Sequence, residues 1–197
     1  MKIPHADKEV FAIIKDIQRQ SDRGAAIVGS AFLEHYLELA VLSKMRQLPV
    51  KTHEILFEGT GPLGSFSAKI HVGFALSLYK EHSYADLRLI NKIRNIFAHE
   101  PEQKTFATEE IASRCKVLNS KEYVFDDRNL DSRKRARKDF QNAIFFYMII
   151  LKGMADQPSV AANSETLGSS APLPLPSKSR KRPHPPGPRR DESGTIS

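Results

Sequence analysis

The chain has little of what small secreted or metal-stabilised proteins need. Its 197 residues include one cysteine and no tryptophan. A single cysteine cannot form an internal disulfide or a thiolate metal cage, which excludes a disulfide scaffold and a zinc finger. The longest strongly apolar run, Ala143 to Leu151, has nine residues, about half of a membrane span. Since the N-terminus also has no apolar signal-peptide core, we expect a soluble cytoplasmic protein that does not enter the membrane.

Patterns for metal and cofactor binding are also missing. The seven histidines are scattered without a ligand spacing such as H-E-x-x-H. Residues 59–64 read G-T-G-P-L-G, the spacing of a dinucleotide fingerprint. That fingerprint needs a preceding strand and a β-α alternation, and the sequence shows neither. We therefore predict no metal site and no cofactor, and we interpret the glycine-rich segment as a structural turn.

The proline and charge counts divide the chain near residue 155. Eight of the 12 prolines come after it, and the segment from Asp156 onward has six basic and four acidic residues. Its only aliphatic cluster, APLPLP at 171–176, is interrupted by proline. Because such a segment cannot bury enough apolar surface to offset its ordering entropy, we predict a folded domain at 1–155 and a disordered tail at 156–197.

Helical periodicity dominates residues 1–155, where apolar residues recur at three- and four-residue spacing. Only the short stretch Glu122–Phe125 suggests a strand. The predicted helices are one capped by Asp7, one at 23–44, one from Phe66, one at about 84–99, a short one capped by Thr108 with Ile111 and Val117/Leu118 inside, and one at about 131–155. The spacing therefore predicts an all-α bundle of about five to six helices.

The last predicted helix is apolar around most of its circumference. Ala136, Phe140 and Ile144 lie on one face, and Phe145 with Met148 widens that face. A helix of this kind is surrounded by other helices or shared with a second subunit. The pattern therefore leaves two alternatives open, a central helix or the interface of a homodimer.

One cation stands inside an apolar stripe. Arg94 lies about 20° from Leu87 on a helical wheel, and an arginine there must find anionic or carbonyl partners because it cannot lose its proton. One interpretation is structural, with Arg94 paired to Glu34 or Glu38, which share a polar strip on the second helix. The other interpretation is chemical: Arg94 holds a phosphate and His99 moves a proton in metal-independent RNA cleavage.

Polar side chains accompany Arg94 along its helix. Asn91, Asn95 and His99 recur at every fourth position and form a polar flank beside it. The structural interpretation of His99 is a hydrogen bond to the last carbonyl groups of its own helix.

A second cluster opens the last helix. Five cations follow one another within six positions, which opposes the helix dipole. They are Arg133, Lys134, Arg135, Arg137 and Lys138. A phosphate-bearing partner, DNA or RNA, explains such a run, and so does a solvated basic face. No helix pair shows a helix-turn-helix pattern with a polar recognition face.

Two stretches resemble a known family. Residues 61–70, GPLGSFSAKI, and residues 86–99, DLRLINKIRNIFAH, are similar to the mannitol operon repressor family of bacteria, and weaker similarity extends over about 10–155. The resemblance implies an all-helical cytoplasmic protein in negative regulation of transcription. It also implies action through a protein partner or RNA, since that family has no recognisable DNA-binding motif.

The string R-N-x-x-x-H is also similar to the signature of HEPN domains, helical modules that include dimeric ribonucleases. On that resemblance Arg94, Asn95 and His99 are the active residues, with Glu34 or Glu38 supporting Arg94. We therefore predict a regulator rather than an enzyme. The alternative is a HEPN-like ribonuclease or RNA-binding module, and direct DNA binding ranks third.

Overall fold

Seven α-helices account for most of residues 8–100, 104–120 and 131–157, which the computed structural model of the chain describes. They are α1 (Lys8–Arg19), α2 (Asp22–Leu42), α3 (Val50–Phe57), α4 (Phe66–Ala75), α5 (Glu81–His99), α6 (Glu109–Lys116) and α7 (Ser132–Ala155). The predicted all-α class is confirmed. The helix count exceeds the prediction because α3 was missed: Phe57 is its one buried residue, so it has no apolar stripe.

α2 and α7 form the centre of the bundle and run side by side in the same direction. Arg137 of α7 contacts Asp22 at the start of α2, and Lys152 lies 5.9 Å from the centre of the Tyr36 ring further along. Phe145 and Met148, which widen the apolar face of α7, are both buried. The central position predicted as one alternative for this helix is therefore confirmed.

The remaining helices surround this pair. α1 packs against both, α4 and α5 cover another side of α2, and α6 lies on α7 and α5. The rings of Phe97, Phe106 and Phe140 meet with centroid separations of 5.0 and 5.2 Å. These contacts fix the C-terminal end of α5, where the predicted Arg94–His99 motif lies, against the 104–108 segment and α7.

Most helix boundaries agree with the prediction to within a few residues. α5 ends at His99, as expected for the residue before Glu100-Pro101. Thr108 does not cap α6 through its side chain, because its hydroxyl accepts from the Thr105 N–H at 3.1 Å. Val117, predicted as an alternative inward residue, is 59% exposed, whereas Leu118 is buried. The predictions at Asp7 and 122–125 lie outside the described residues.

The glycine-rich segment is a turn between α3 and α4. Gly59 has a φ of 54°, in the left-handed region that favours glycine. A Cβ added to Gly61 would lie 2.5 Å from the Ile55 carbonyl oxygen. Because a helix precedes this segment instead of a strand, the interpretation as a structural turn is confirmed.

Candidate functional site

The carboxylates of Glu34 and Glu38 bind a lysine. Lys69 of α4 places its ammonium 2.9 Å from Glu34 Oε1 and 2.8 Å from Glu38 Oε2, and its side chain is 6% exposed. His53 of α3 adds a contact, with its Nε2 atom 3.3 Å from Glu38 Oε1. This arrangement ties three helices together at one point.

The pKa of Lys69 shows how this contact is balanced. Burial is the largest single effect and lowers the pKa, because it disfavours the charged ammonium. The hydrogen bonds and charge attraction from Glu38 and Glu34 raise the pKa, and their sum exceeds the effect of burial. The net pKa is raised above its ordinary value, so Lys69 stays charged. The cluster is therefore a satisfied ion pair that fixes the packing of α4 on α2.

Arg94 does not take part in that cluster. It is half-buried on α5, and in the described part of the chain its polar contact is with the neighbouring Asn95, whose Oδ1 accepts at 3.0 Å. The predicted pairing with Glu34 or Glu38 is thus wrong, because Lys69 occupies both carboxylates. The guanidinium of Arg94 is left without a carboxylate among the residues that the structure describes.

One side of the C-terminal end of α5 is open to solvent. His99 is exposed, while Asn91 and Asn95 are half-buried. Arg23 of α2 donates to the Ala98 carbonyl oxygen at 3.1 Å and so satisfies one of the last carbonyl groups of the helix. Asn91, Arg94, Asn95 and His99 therefore share one helix, and a second cation approaches its C-terminus.

The basic run at the start of α7 divides into members with different surroundings. Arg137 binds the Asp22 carboxylate at 2.5 Å and the carbonyl oxygens of Gln18 and Gln20 at 3.2 and 2.5 Å. It therefore closes the turn between α1 and α2 and is unavailable to a phosphate. The other members differ: Lys134 is exposed, Arg135 and Lys138 are half-buried, and the side chain of Arg133 lies outside the described residues.

Asp86 is a buried carboxylate that sequence reasoning missed. It is fully buried on α5 and accepts from the Asn119 and Ser120 N–H groups at 3.0 and 2.9 Å and from the Tyr147 hydroxyl at 3.0 Å. Burial raises the pKa of Tyr147, and the adjacent Asp86 charge raises it further. Asp86 therefore joins α5, α7 and the segment after α6. Its position four residues before Ile90, in the apolar stripe, was an available signal.

A second missed feature is the solvent-facing side of α2. At 100° per residue, seven residues fall within an arc of about 100°. They are Gly24, Val28, Ala31, Phe32, His35, Leu39 and Leu42, of which Ala31, His35 and Leu39 are exposed and the others half-buried. We call this surface the α2 face. It contains no Asp, Glu, Lys or Arg side chain.

The composition of α2 explains this face. By length and hydropathy α2 would pass as a membrane span, yet only half of its most apolar window is buried in the bundle. Such a helix commonly forms the core of a globular protein, where it is covered on every side. Here the uncovered side is one that a partner can cover.

Within the described residues, no three His, Cys, Asp or Glu side chains are grouped closely enough to hold a metal ion. Cys115, the single cysteine, is fully buried.

Comparison with known proteins identifies the family of the chain. Residues 45–150 match the family described as mannitol repressor, which is just over half of the 197 residues. A chain from the X-ray structure of the MtlR-HPr complex from Escherichia coli has a TM-score of 0.58 and 16% identity. The likeness covers 77% of this chain and 100% of that chain and concerns the fold. No curated protein matches the sequence.

The matched range contains α4 and α5 and the turn that precedes α4, together with both sequence stretches, 61–70 and 86–99, on which the family resemblance was based. It also contains Lys69 and Asp86, the two charged groups that hold these helices in place. The family resemblance seen in the sequence is thereby confirmed, and the chain belongs to the mannitol repressor family.

Proposed function

We propose that this protein regulates transcription of a mannitol operon negatively and does so by binding a partner protein through the α2 face. Membership in the mannitol repressor family supports the regulatory role. The similar chain was solved in complex with HPr, which supports a protein partner and makes HPr of the same cell the first candidate.

The observation that carries the proposal is the uncovered apolar side of a central helix. Leu39 is 37% exposed, and Ala31 and His35 are exposed beside it. Contiguous apolar surface of this kind mostly marks interaction sites in soluble proteins. The flanking carboxylates of Glu34 and Glu38 are both paired with Lys69, so a partner can approach the α2 face without burying an unpaired charge.

The test is a binding titration between the full-length chain and HPr encoded in the same genome. Ala31→Glu and Leu39→Glu place a carboxylate on the α2 face at exposed helical positions. Each is expected to weaken binding at least tenfold, on the order of the effect of burying a charge at an interface. Ile55→Glu, at a 62% exposed position of α3, is the matched control and should bind like the unaltered chain.

Two results would contradict the proposal. One is undiminished binding by both α2-face variants while a mannitol-operon reporter remains repressed. The other is absence of complex formation with HPr together with a stable dimer that Leu39→Glu dissociates in light scattering. That second result would instead support the predicted homodimer, with the α2 face as its interface.

A second candidate function has its own observation. Arg94 is half-buried but lacks a carboxylate among the described residues, and His99 at the same helix end is exposed. We propose as the alternative a HEPN-like RNA module in which Arg94 holds a phosphate, Asn95 orients the guanidinium, and His99 transfers a proton. Incubation with RNA in EDTA should then give cleavage that His99→Ala abolishes. Intact RNA after prolonged incubation would eliminate the nuclease.

A further inference from the structure

An aromatic and cationic cluster lies where α4 meets α5. The Tyr84 ring stacks on Phe74 with a centroid separation of 4.5 Å and an interplanar angle of 17°. The guanidinium carbon of Arg88 lies over the Tyr84 ring, 5.4 Å from its centroid. Because Phe74 covers one face of Tyr84, Arg88 takes the other, and the three side chains form layers. We call these layers the stack.

The outer layer of the stack is accessible. Arg88 is exposed, and Tyr84 and Phe74 are half-buried beneath it. His71, also exposed, places its Nδ1 atom 2.7 Å from the Tyr84 hydroxyl oxygen and so fixes the orientation of the ring. A planar guanidinium held over an aromatic ring presents a flat, positively charged surface to solvent.

After Glu81, the first residue of α5, the exposed Lys, Arg, Asp and Glu side chains of this helix are all basic. Between residues 82 and 99 the basic residues are Arg88, Lys92 and Arg94, and the single acidic residue is Asp86. Asp86 is fully buried and engaged by Asn119, Ser120 and Tyr147. The exposed charge of this helix is therefore entirely positive after Glu81.

Arg88 and Lys92 lie on the same side of the helix as the stack. Tyr84, Arg88 and Lys92 are spaced by four residues, which keeps them on one face. Arg94 lies about 160° from Lys92 on a helical wheel and therefore faces away from the stack. The helix dipole favours cations in the last turn, which does not account for Arg88 and Lys92 in the middle of the helix.

We propose that this surface binds single-stranded nucleic acid, with a base stacked on Arg88 and the following phosphate held by Lys92. Single-strand binding sites combine a positive track with flat side chains on which bases stack. Double-stranded DNA keeps its bases inside the duplex and cannot use the stack. This inference concerns binding alone; it goes beyond the partner site on α2 and holds whether or not the protein cleaves RNA.

The test measures fluorescence anisotropy of labelled oligouridylate, oligothymidylate and duplex DNA with the full-length chain. Arg88→Lys keeps the charge but removes the planar group, so it should weaken single-strand binding about fivefold, the lower end of the loss of one stacked base. Lys92→Gln should weaken it about threefold and reduce the salt dependence. The matched controls, Arg46→Lys and Lys15→Gln at exposed positions elsewhere, should bind unchanged.

Each outcome decides the proposal. Single-strand binding that falls in Arg88→Lys but not in Arg46→Lys supports it, and equal affinity for the RNA and DNA strands identifies the base rather than the sugar as the ligand. Equal affinity for duplex DNA, or full displacement by polyglutamate, would overturn it, because charge alone would then account for binding. His99→Ala separates this inference from the nuclease, since it should abolish cleavage while leaving the Arg88-dependent binding in place.

Discussion

Lys69 on α4 and Arg94 on α5 are both cations that sit among apolar residues of a helix, yet the fold treats them differently. Lys69 is almost fully buried and contacts two carboxylates at 2.8 and 2.9 Å. Arg94 is half-buried and contacts the amide oxygen of its neighbour Asn95. A buried cation with its charge satisfied is part of the packing, whereas a cation with spare hydrogen-bonding capacity near solvent can bind an external ligand.

The largest expected effect comes from removing the satisfied cation. Lys69→Met leaves the carboxylates of Glu34 and Glu38 facing each other without a cation, and it should lower the free energy of unfolding by about 3 kcal/mol. Arg94→Met, the matched change on α5, should cost less than about 1 kcal/mol because it removes one hydrogen bond. Urea denaturation monitored by circular dichroism measures both. A larger loss of unfolding free energy for Arg94→Met than for Lys69→Met would contradict the conclusion that Lys69 is the cation that stabilises the packing.

The comparison also predicts the pH dependence of stability. The pKa of Lys69 is raised above 10.5 in the folded state, so its contribution is fully present below pH 10.5 and declines as the pH rises toward the folded value. Burial raises the pKa values of Tyr79 and Tyr147 from 10.0, and because the unfolded chain ionises first, their contribution falls over the same alkaline window.

Denaturation midpoints measured above and below pH 10 test this prediction. The unfolding free energy of the unaltered chain should fall steeply above pH 10, and Tyr147→Phe should flatten part of that fall. A stability that is constant across this range would show that these groups are not protected from ionisation by the fold.

The smallest effect concerns His53, which shares the Glu38 carboxylate with Lys69. Its ring stacks on Phe57 with a centroid separation of 5.0 Å, and its Nε2 atom contacts Glu38. His53→Ala should cost less than about 1 kcal/mol, because the ring is part-exposed, and should raise hydrogen exchange in α3 alone. Lys51→Ala, an exposed change on the same helix, serves as the control; equal exchange in both variants would mean that His53 does not hold α3.

Sequence reasoning reached most of the fold because apolar periodicity reports burial directly. The extent of α2 and the buried face of α7 followed from spacing, and the end of α5 followed from the proline at position 101. α3 did not, since one buried residue in eight leaves no period to detect. Thr108 is the N-cap residue of α6, as predicted, but its hydroxyl accepts from the Thr105 N–H and not from the helix.

The candidate site was less accessible from the sequence. Three charged residues, Lys69, Asp86 and Arg94, occupy positions within apolar stripes, and the spacing rule that singled out Arg94 applies equally to the other two. Spacing identifies a charge that needs a partner but does not name the partner, since that depends on which helices lie side by side. The sequence therefore could not show that Glu34 and Glu38 contact Lys69 and not Arg94.

The amino-acid sequence by itself determined the all-α class, the wide apolar face of α7, the turn at residues 59–64 and the family. These properties depend on composition or on residues that are neighbours in the chain, because a helix or a turn forms between residues a few positions apart. Only the tertiary structure decided that Glu34 and Glu38 serve Lys69, that Arg137 closes the α1–α2 turn, and which side of α2 remains uncovered. Each of these features depends on residues that are distant in the chain. The distances between such residues are set by how the helices pack and not by the order of residues.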